Sequence, residues 1–371
     1  MNILFINSVC GTGSTGKITA ELAEGYEREG HQVKIAYGRH SYVPEKYKDF
    51  AVRIGNKCEI YLHALLSRLT DRHGFYSRRA TRNFLQWAND YNPNILWLHN
   101  IHGYFINIEL LFNWIKSRPQ MKVYWTLHDC WSFTGHCVYF TMAGCSKWQT
   151  HCEHCPQKYA YPSSFIDNSF RNYEDKRRLF TGVKDMTLIT PSQWLADLVS
   201  QSFLSEYHCE VRHNEIDRNI FKPAAGDFRE RYNLIGKKIV LGVANIWEAR
   251  KGLKDFLKLY ELIKHENFSI VLVGITRDKL PEGIIHVKRT GSQRELAEIY
   301  SAADVLFNPT YEDNYPTVNL EAEACGIPVI TYDTGGAPET VHGKNSHVIP
   351  CGDVCAAKNF IEKICEGRVI S

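Results

Sequence analysis

The stretch Asp313-Asn-Tyr-Pro-Thr-Val-Asn-Leu-Glu321-Ala-Glu-Ala-Cys-Gly-Ile-Pro-Val329 spells a complete loop, helix and strand entry. The apolar run Asp304-Val-Leu-Phe-Asn308 before it reads as a strand that ends in an acidic turn at Glu312 and Asp313. Pro316 has a fixed φ and no N–H, which suits a first helical turn. The helix passes through Ala322 and Ala324 and stops at Gly326. Pro328 then seals the end before the strand Val329-Ile-Thr-Tyr332. Asp313 therefore lies in the loop at the helix N-terminus, and Glu321 sits one turn beyond Thr317 on the same face. The N–H groups of the first turn point toward that loop and suit an anionic or polyhydroxyl ligand. An ordinary amphipathic helix with a solvated Glu321 has the same pattern, so the rest of the chain must decide.

The chain of 371 residues is long enough for two α/β domains, each with a full core. An apolar fraction of 44% and a charged fraction of 23% are ordinary for a globular protein. A net charge of only +3 argues against nucleic acid as a partner. No apolar run approaches the ~20 residues of a membrane span. The first strand follows Met1 directly, without a basic flank or cleavage site, so the expected location is the cytoplasm. Twelve cysteines in that setting are expected as thiols or metal ligands rather than disulfides.

The strand Asn2-Ile-Leu-Phe-Ile-Asn7 leads into Gly11-Thr-Gly-Ser-Thr-Gly-Lys17, a helix to Gly30, and a second strand at 32–37. This is a βαβ unit with a glycine-rich first turn, the entry to a doubly wound domain. The loop nearly forms a P-loop, but Ile18 stands where the magnesium-binding Ser or Thr belongs. A P-loop NTPase is thus one alternative function. Two later strands, Ile95-Leu-Trp-Leu98 and Lys122-Val-Tyr-Trp-Thr-Leu127, end in His99-Asn-Ile-His102-Gly103 and His128-Asp129. Ligands of open α/β sheets bind at such strand ends.

Between Ser67 and Arg82 the cations Arg68, Arg72, Arg78, Arg79 and Arg82 and His73 alternate with Leu69, Phe75 and Tyr76, ahead of Phe84 and Trp87. A basic and aromatic helix face of this kind suits an anionic membrane surface, and a solvated helix face is the plainer reading. Farther on come Cys137, Cys145, Cys152 and Cys155, with Cys130 just before them. Cys152-Glu-His-Cys155 is a C-x-x-C knuckle, and four thiolates match a structural zinc site. His136, His151 and His154 lie nearby, and free thiols are the alternative.

Taken together, the loop–helix unit, Asn214, Lys251-Gly252 and Thr334-Gly-Gly-Ala-Pro-Glu339 resemble retaining glycosyltransferases of family 4. That family carries two acids with seven residues between them, the spacing of Asp313 and Glu321. Its first acid is more often Glu, and Glu312, one residue out of register, is the competing candidate. The resemblance implies a GT-B fold, with two Rossmann-like parallel-sheet domains facing a cleft. The expected domains are 1–222, with a Cys-rich insertion at 130–162, and 223–371, joined by a linker at 223–227. The chain is expected to finish with a helix at 354–366. Trp131, Thr134, Gly135 and the Cys-rich insertion resemble the subset found in exopolysaccharide (colanic-acid-type) systems.

By the same resemblance the enzyme moves a sugar from a nucleotide-diphosphate donor to a saccharide or lipid-linked acceptor with retention of configuration. Asp313 would hydrogen-bond the donor sugar, Glu321 the ribose, and Arg250 and Lys251 the diphosphate. Glu312, Asn314, Tyr315, Pro316, Thr317, Gly335, Gly336 and Glu339 complete the donor side. His128 and Asp129 line the acceptor side. Gly13, Ser14, Thr15, Gly16, Lys17 and His102 form an acceptor or phosphate loop. Without a metal, fixed cations and helix N-termini must stabilise the departing diphosphate, and no Asp-x-Asp is present to hold one. Beyond the proposed zinc, no cofactor is expected. A nucleotide-sugar or polysaccharide-binding protein without activity is the remaining alternative.

Overall fold

The computed structural model describes residues 1–39 and 42–365. They fall into two compact units, Met1–Arg212 and His213–Ser371, the last six residues of the second lying outside that description.

The first unit is built on seven strands: β1 (Asn2–Ile6), β2 (Gln32–Tyr37), β3 (Ala51–Arg53), β4 (Ile95–Leu98), β5 (Lys122–Thr126), β6 (Met186–Thr190) and β7 (His208–Val211). They pair in the order β3-β2-β1-β4-β5-β6-β7, and every pairing is parallel. Side chains alternate across a strand, so a sheet covered on both faces needs apolar residues in succession. In β1, Leu4 and Ile6 enter one core, and Ile3 and Phe5 enter the other. The chain leaves β1 to one side for β2 and β3, then returns for β4 on the other side. The adjacent ends of β1 and β4 form the switch point of an open sheet, where ligands bind.

The second unit repeats the plan with six strands: β8 (Lys238–Ile246), β9 (Phe268–Ile275), β10 (Ile285–Val287), β11 (Val305–Asn308), β12 (Val329–Tyr332) and β13 (His347–Ile349). Their order is β10-β9-β8-β11-β12-β13, again all parallel. Val305 and Phe307 face one core while Leu306 faces the other. The switch point here lies between β8 and β11. Both units are therefore Rossmann-like, as the α/β expectation of two parallel-sheet domains requires.

The division falls at 212/213, ten residues before the expected 222/223. Two contacts carry 213–222 into the second unit. The His213 ring stacks on Tyr315 with centroids 4.8 Å apart, and Phe221 is buried in the second unit's core. The last helix is Val354–Cys365, so Glu366, its expected end, lies outside the described residues.

Candidate functional site

The helix at the centre of the sequence argument spans Thr317–Ala324. Pro316 caps it in an extended conformation instead of occupying its first turn. Gly326, with φ 90°, follows the C-cap Cys325, as a helix stop requires. The helix is locked by an amide relay. Asn308 Nδ2 at the end of β11 donates to Asn319 Oδ1 at 2.9 Å, and Asn319 Nδ2 donates to Thr340 Oγ1 at 2.8 Å. All three side chains are buried.

Three strand ends supply the residues expected on the donor side. After β8 come Arg250 and Lys251 in a short turn, after β11 the loop with Glu312 and Asp313, and after β12 the glycine turn. The Lys251 ammonium pairs directly with the Asp313 carboxylate. Arg250 donates from its guanidinium to the Glu312 carbonyl at 3.2 Å, and its own carbonyl accepts from Tyr311 N–H at 2.7 Å. Gly336 N–H donates to the Asp313 carbonyl at 3.0 Å. Asp313 thus joins both the cation and the glycine turn through direct contacts. Of the two acids it, and not Glu312, carries the carboxylate that meets Lys251.

Two glycines make this closeness feasible. A Cβ at Gly335, where φ is 57°, would fall 2.1 Å from the Asp313 carbonyl oxygen. A Cβ at Gly252, where φ is 72°, would fall 2.1 Å from the Pro309 carbonyl oxygen. Any side chain at either position would push the β11 loop away from its neighbour.

Glu321 accepts a hydrogen bond from the Tyr300 hydroxyl at 2.9 Å. The phenol is fully buried, and its pKa is raised by that burial first and by the Glu321 charge second. Tyr315 is buried against His213, and burial, followed by the Glu339 charge, raises its hydroxyl too. Tyr300, Asn319, Thr340 and His213 were not among the sequence candidates. Their partners are separated from them by long stretches of chain, and no local pattern marks them.

In the first unit a small pocket at the ends of β4 and β5 is lined by His99, His102, His128, Asp129 and Trp131, among others. His128 Nε2 lies 3.0 Å from His99 Nδ1, and the rings are stacked. Burial pushes the His128 imidazole down to about 4, with Asp129 opposing and His102 reinforcing the shift. His102 Nε2 is 2.8 Å from Asp129 Oδ2, and His102 Nδ1 is 3.2 Å from the Tyr161 hydroxyl. Burial raises the Asp129 pKa, but His102, the Trp131 N–H at 2.9 Å and His128 together outweigh it and hold the carboxyl below its usual range. An ionised Asp129 requires His102 to donate from Nε2, and in the neutral imidazole Nδ1 then accepts from Tyr161 O–H. The result is a Tyr–His–Asp relay whose tyrosine comes from the Cys-rich insertion. The sequence reading placed His99 in a strand-end loop without giving it a role, and gave none to Tyr161.

The glycine-rich loop departs from a P-loop. Its helix already begins at Gly13 and runs to Arg28, so Gly13, Ser14, Thr15, Gly16 and Lys17 are helical. A phosphate cradle needs those residues as a loop ahead of the helix. Gly13 and Ser14 are exposed at the helix start, and Gly16 is buried.

Residues 237–366 match the family described as Glycosyl transferases group 1. Over 370 residues the chain is 26% identical to a protein of Escherichia coli (strain K12) named as a colanic acid biosynthesis glycosyl transferase, WcaC, covering 92% of this chain and 85% of that one. The fold is GT-B, and these matches support glycosyltransferase activity. Over 147 residues it is 30% identical to the N,N'-diacetylbacillosaminyl-diphospho-undecaprenol alpha-1,3-N-acetylgalactosaminyltransferase of Campylobacter jejuni, covering 37% of each chain. Among solved structures, the sucrose-phosphate synthase of Thermosynechococcus elongatus superposes with a TM-score of 0.70 at 16% identity, covering 99% of this chain and 91% of that one. Anabaena HepE in complex with UDP and glucose superposes with a TM-score of 0.68 at 16% identity, covering 100% and 91%. At that identity the likeness concerns the fold.

In this glycosyltransferase the Cys-rich insertion holds only short turns, at Trp131–Phe133 and Lys147–Gln149. Phe133, Phe140 and Trp148 form its buried aromatic centre. The Cys137 and Cys155 thiols are hydrogen-bonded to each other, and Cys152 Sγ accepts from Gly135 N–H at 3.2 Å. Among the described residues, however, no group of three or more His, Cys, Asp or Glu side chains is gathered so as to hold a metal ion. As they stand, Cys137, Cys145, Cys152 and Cys155 do not form the tetrahedral cluster that their spacing suggests. Lys176, which is buried, ties into the lobe by donating to the Trp131 and Thr134 carbonyls at 2.7 and 2.9 Å. Burial pushes this ammonium down to about 7.

The basic run at 68–82 does not form one face of the glycosyltransferase. Arg72 pairs with Asp175 at 2.6 Å and lies over the Phe75 ring, and Arg78 pairs with Glu109 at 2.8 Å. His73 and Phe84 are buried, while Arg68, Arg79 and Arg82 are exposed. No described helix is long and apolar enough to cross a membrane.

Proposed function

We propose that this glycosyltransferase transfers a hexose from a nucleoside-diphosphate sugar to a saccharide or lipid-linked acceptor in cell-surface polysaccharide synthesis, retaining the anomeric configuration without a catalytic metal. The observation that carries the donor half is the Lys251–Asp313 pair, set among Arg250 and the Gly335–Gly336 turn at the ends of β8, β11 and β12. An ammonium has three N–H donors, so pairing with Asp313 leaves donors for a phosphate oxygen. The guanidinium of Arg250 beside it adds a second fixed cation. Together they stabilise the charge that builds on a diphosphate as the glycosidic bond stretches. Asp313 holds the hexose hydroxyls, and Glu321, fixed by Tyr300, holds the ribose.

The names of the relatives support the acceptor class. The Campylobacter protein is named for a diphospho-undecaprenol acceptor, and a Staphylococcus aureus relative is named for capsular polysaccharide biosynthesis. HepE was solved with UDP and UDP-glucose, which makes uridine diphosphate sugars the first donors to try. Acceptor contacts are assigned to His128, His102 and Asp129.

A thermal-shift screen of UDP-, GDP- and ADP-hexoses tests the reading. One nucleotide class should raise the melting temperature of the parent, and Lys251→Ala and Glu321→Ala should lose most of that rise. Equal stabilisation in both variants, or none in the parent, would sink the assignment.

A further inference from the structure

The helix Lys57–Thr70 is inverted relative to a normal surface helix. Its buried residues are His63 and Ser67, one turn apart. Its outward face carries Tyr61, Leu65 and Leu69 at successive i, i+4 positions, with Leu62 beside them, all between 48% and 75% exposed. A solvated helix would show the reverse arrangement. The helix is nonetheless well formed, because Asn56 and Glu59 make a reciprocal capping box.

A second segment extends this apolar face. Phe165 N–H donates to the Arg68 carbonyl at 2.9 Å, and the Arg68 guanidinium lies over the Phe165 ring. Phe165, Ile166 and Phe170 are 60%, 45% and 55% exposed. Scattered exposed apolar residues are normal, but a contiguous patch of leucines and aromatic rings marks an interaction site. Cations border it. Lys57 and Arg68 lie on one flank of the same helix, and the exposed Arg171 follows Phe170. The only acid on the helix, Glu59, is committed to the capping box at the end away from Leu69, and Asp167 in the second segment accepts from the Cys155 and Ser169 N–H groups.

We propose that this face, the outward side of Lys57–Thr70 with residues 165–170, docks on the anionic surface of a lipid bilayer. Leucines and aromatic rings enter the headgroup and acyl boundary. Arg68 and Lys57, with long apolar stems, lie along it with their charges at the phosphates. Each cation near such a surface adds to the attraction. A second protein chain would also cover leucines, but a rim of cations with no free acid on the helix complements a negatively charged sheet better than a copy of itself. The proposal deepens the reading of a lipid-linked acceptor, which would be presented at that surface, and rests on it only for its purpose.

The test is co-sedimentation of the whole protein with vesicles of phosphatidylethanolamine and phosphatidylglycerol, against vesicles of phosphatidylcholine alone. The parent should bind the anionic vesicles at least about tenfold better, less so as salt rises. Leu62→Glu with Leu65→Glu should abolish the binding, and Arg68→Glu should weaken it. Both variants should keep the parent's melting temperature and its response to nucleotide sugars. No anionic preference in the parent, or unchanged binding by the double variant, overturns the proposal. So does a parent dimer in light scattering that the double variant dissociates, which would assign the face to a second copy. Vesicle binding is read without nucleotide, so loss of the donor response alone counts against the enzymatic reading and leaves this one standing.

Discussion

Tyr300 donates its phenol hydrogen to Glu321 Oε2 at 2.9 Å and so ties the helix Gln293–Ala302 to the helix Thr317–Ala324 through the acid assigned to the ribose. The tyrosine is fully buried, so its ring supports the fold and only its hydroxyl touches the site.

Tyr300→Phe removes that hydroxyl and keeps the packing. A hydrogen bond to a charged group is worth about 1.5–3 kcal/mol, so donor KM should rise on the order of tenfold with kcat little changed. Glu321→Gln should do at least as much. Steady-state kinetics over donor concentration checks this, and an unchanged KM in both variants would remove Glu321 from the donor site.

Gly335→Ala should damage both fold and donor binding. The methyl group meets the Asp313 carbonyl at a backbone angle that disfavours side chains. A cost of roughly 1–3 kcal/mol is expected from the backbone alone, seen as a lower melting temperature. Loss of nucleotide-sugar stabilisation should accompany it, because the displaced loop carries Asp313 away from Lys251. A variant as stable as the parent with full donor response would contradict the close approach.

Asp129→Asn should act through the His102 tautomer. With the ionised carboxylate gone, Nε2–H is no longer required and the Tyr161 hydrogen bond loses its fixed direction. Transfer should fall on the order of a hundredfold in kcat/KM while nucleotide-sugar stabilisation is retained, and Tyr161→Phe should fall less. Nitrogen chemical shifts of the His102 ring give an independent reading of the tautomer.

Acid should destabilise the first unit. Burial lowers His63 to about 3 and His128 to about 4, against 6.5 in the unfolded chain. The unfolded state therefore binds protons that the folded state refuses. Stability is full above pH 6.5 and is lost as pH falls through the interval down to these values. The combined loss is of order several kcal/mol. Melting temperatures measured across that interval should fall steeply, and His63→Gln should flatten the slope.

Much of this was legible in the chain. Runs such as Ile3-Leu-Phe-Ile6 announce strands covered on both faces, and glycine turns after them announce parallel crossovers. Lys251 and Asp313 could be singled out because Lys251-Gly252 and the Asp313–Glu321 spacing resemble the family pattern. Their direct pairing needed the switch point between β8 and β11. Ile18 already argued against a P-loop in the chain, but that Gly13–Lys17 form a first helical turn could not be read there. Charges at Arg72 and Arg78 looked available because their partners, Asp175 and Glu109, are remote in sequence. Leu62 and Leu65 drew no notice, since apolar residues in a helix ordinarily point inward.

The Asn308–Asn319–Thr340 relay is uncharged, whereas the Lys251–Asp313 pair is ionic. Ionic strength screens the second only in part, because its side chains are 20% and 15% exposed, and leaves the first almost untouched. The proposed donor face is thus divided into a frame indifferent to salt and a grip that responds to it. A rise in ionic strength should loosen capture of the diphosphate without shifting the helix that carries Glu321, so affinity can be tuned while the geometry of transfer is preserved.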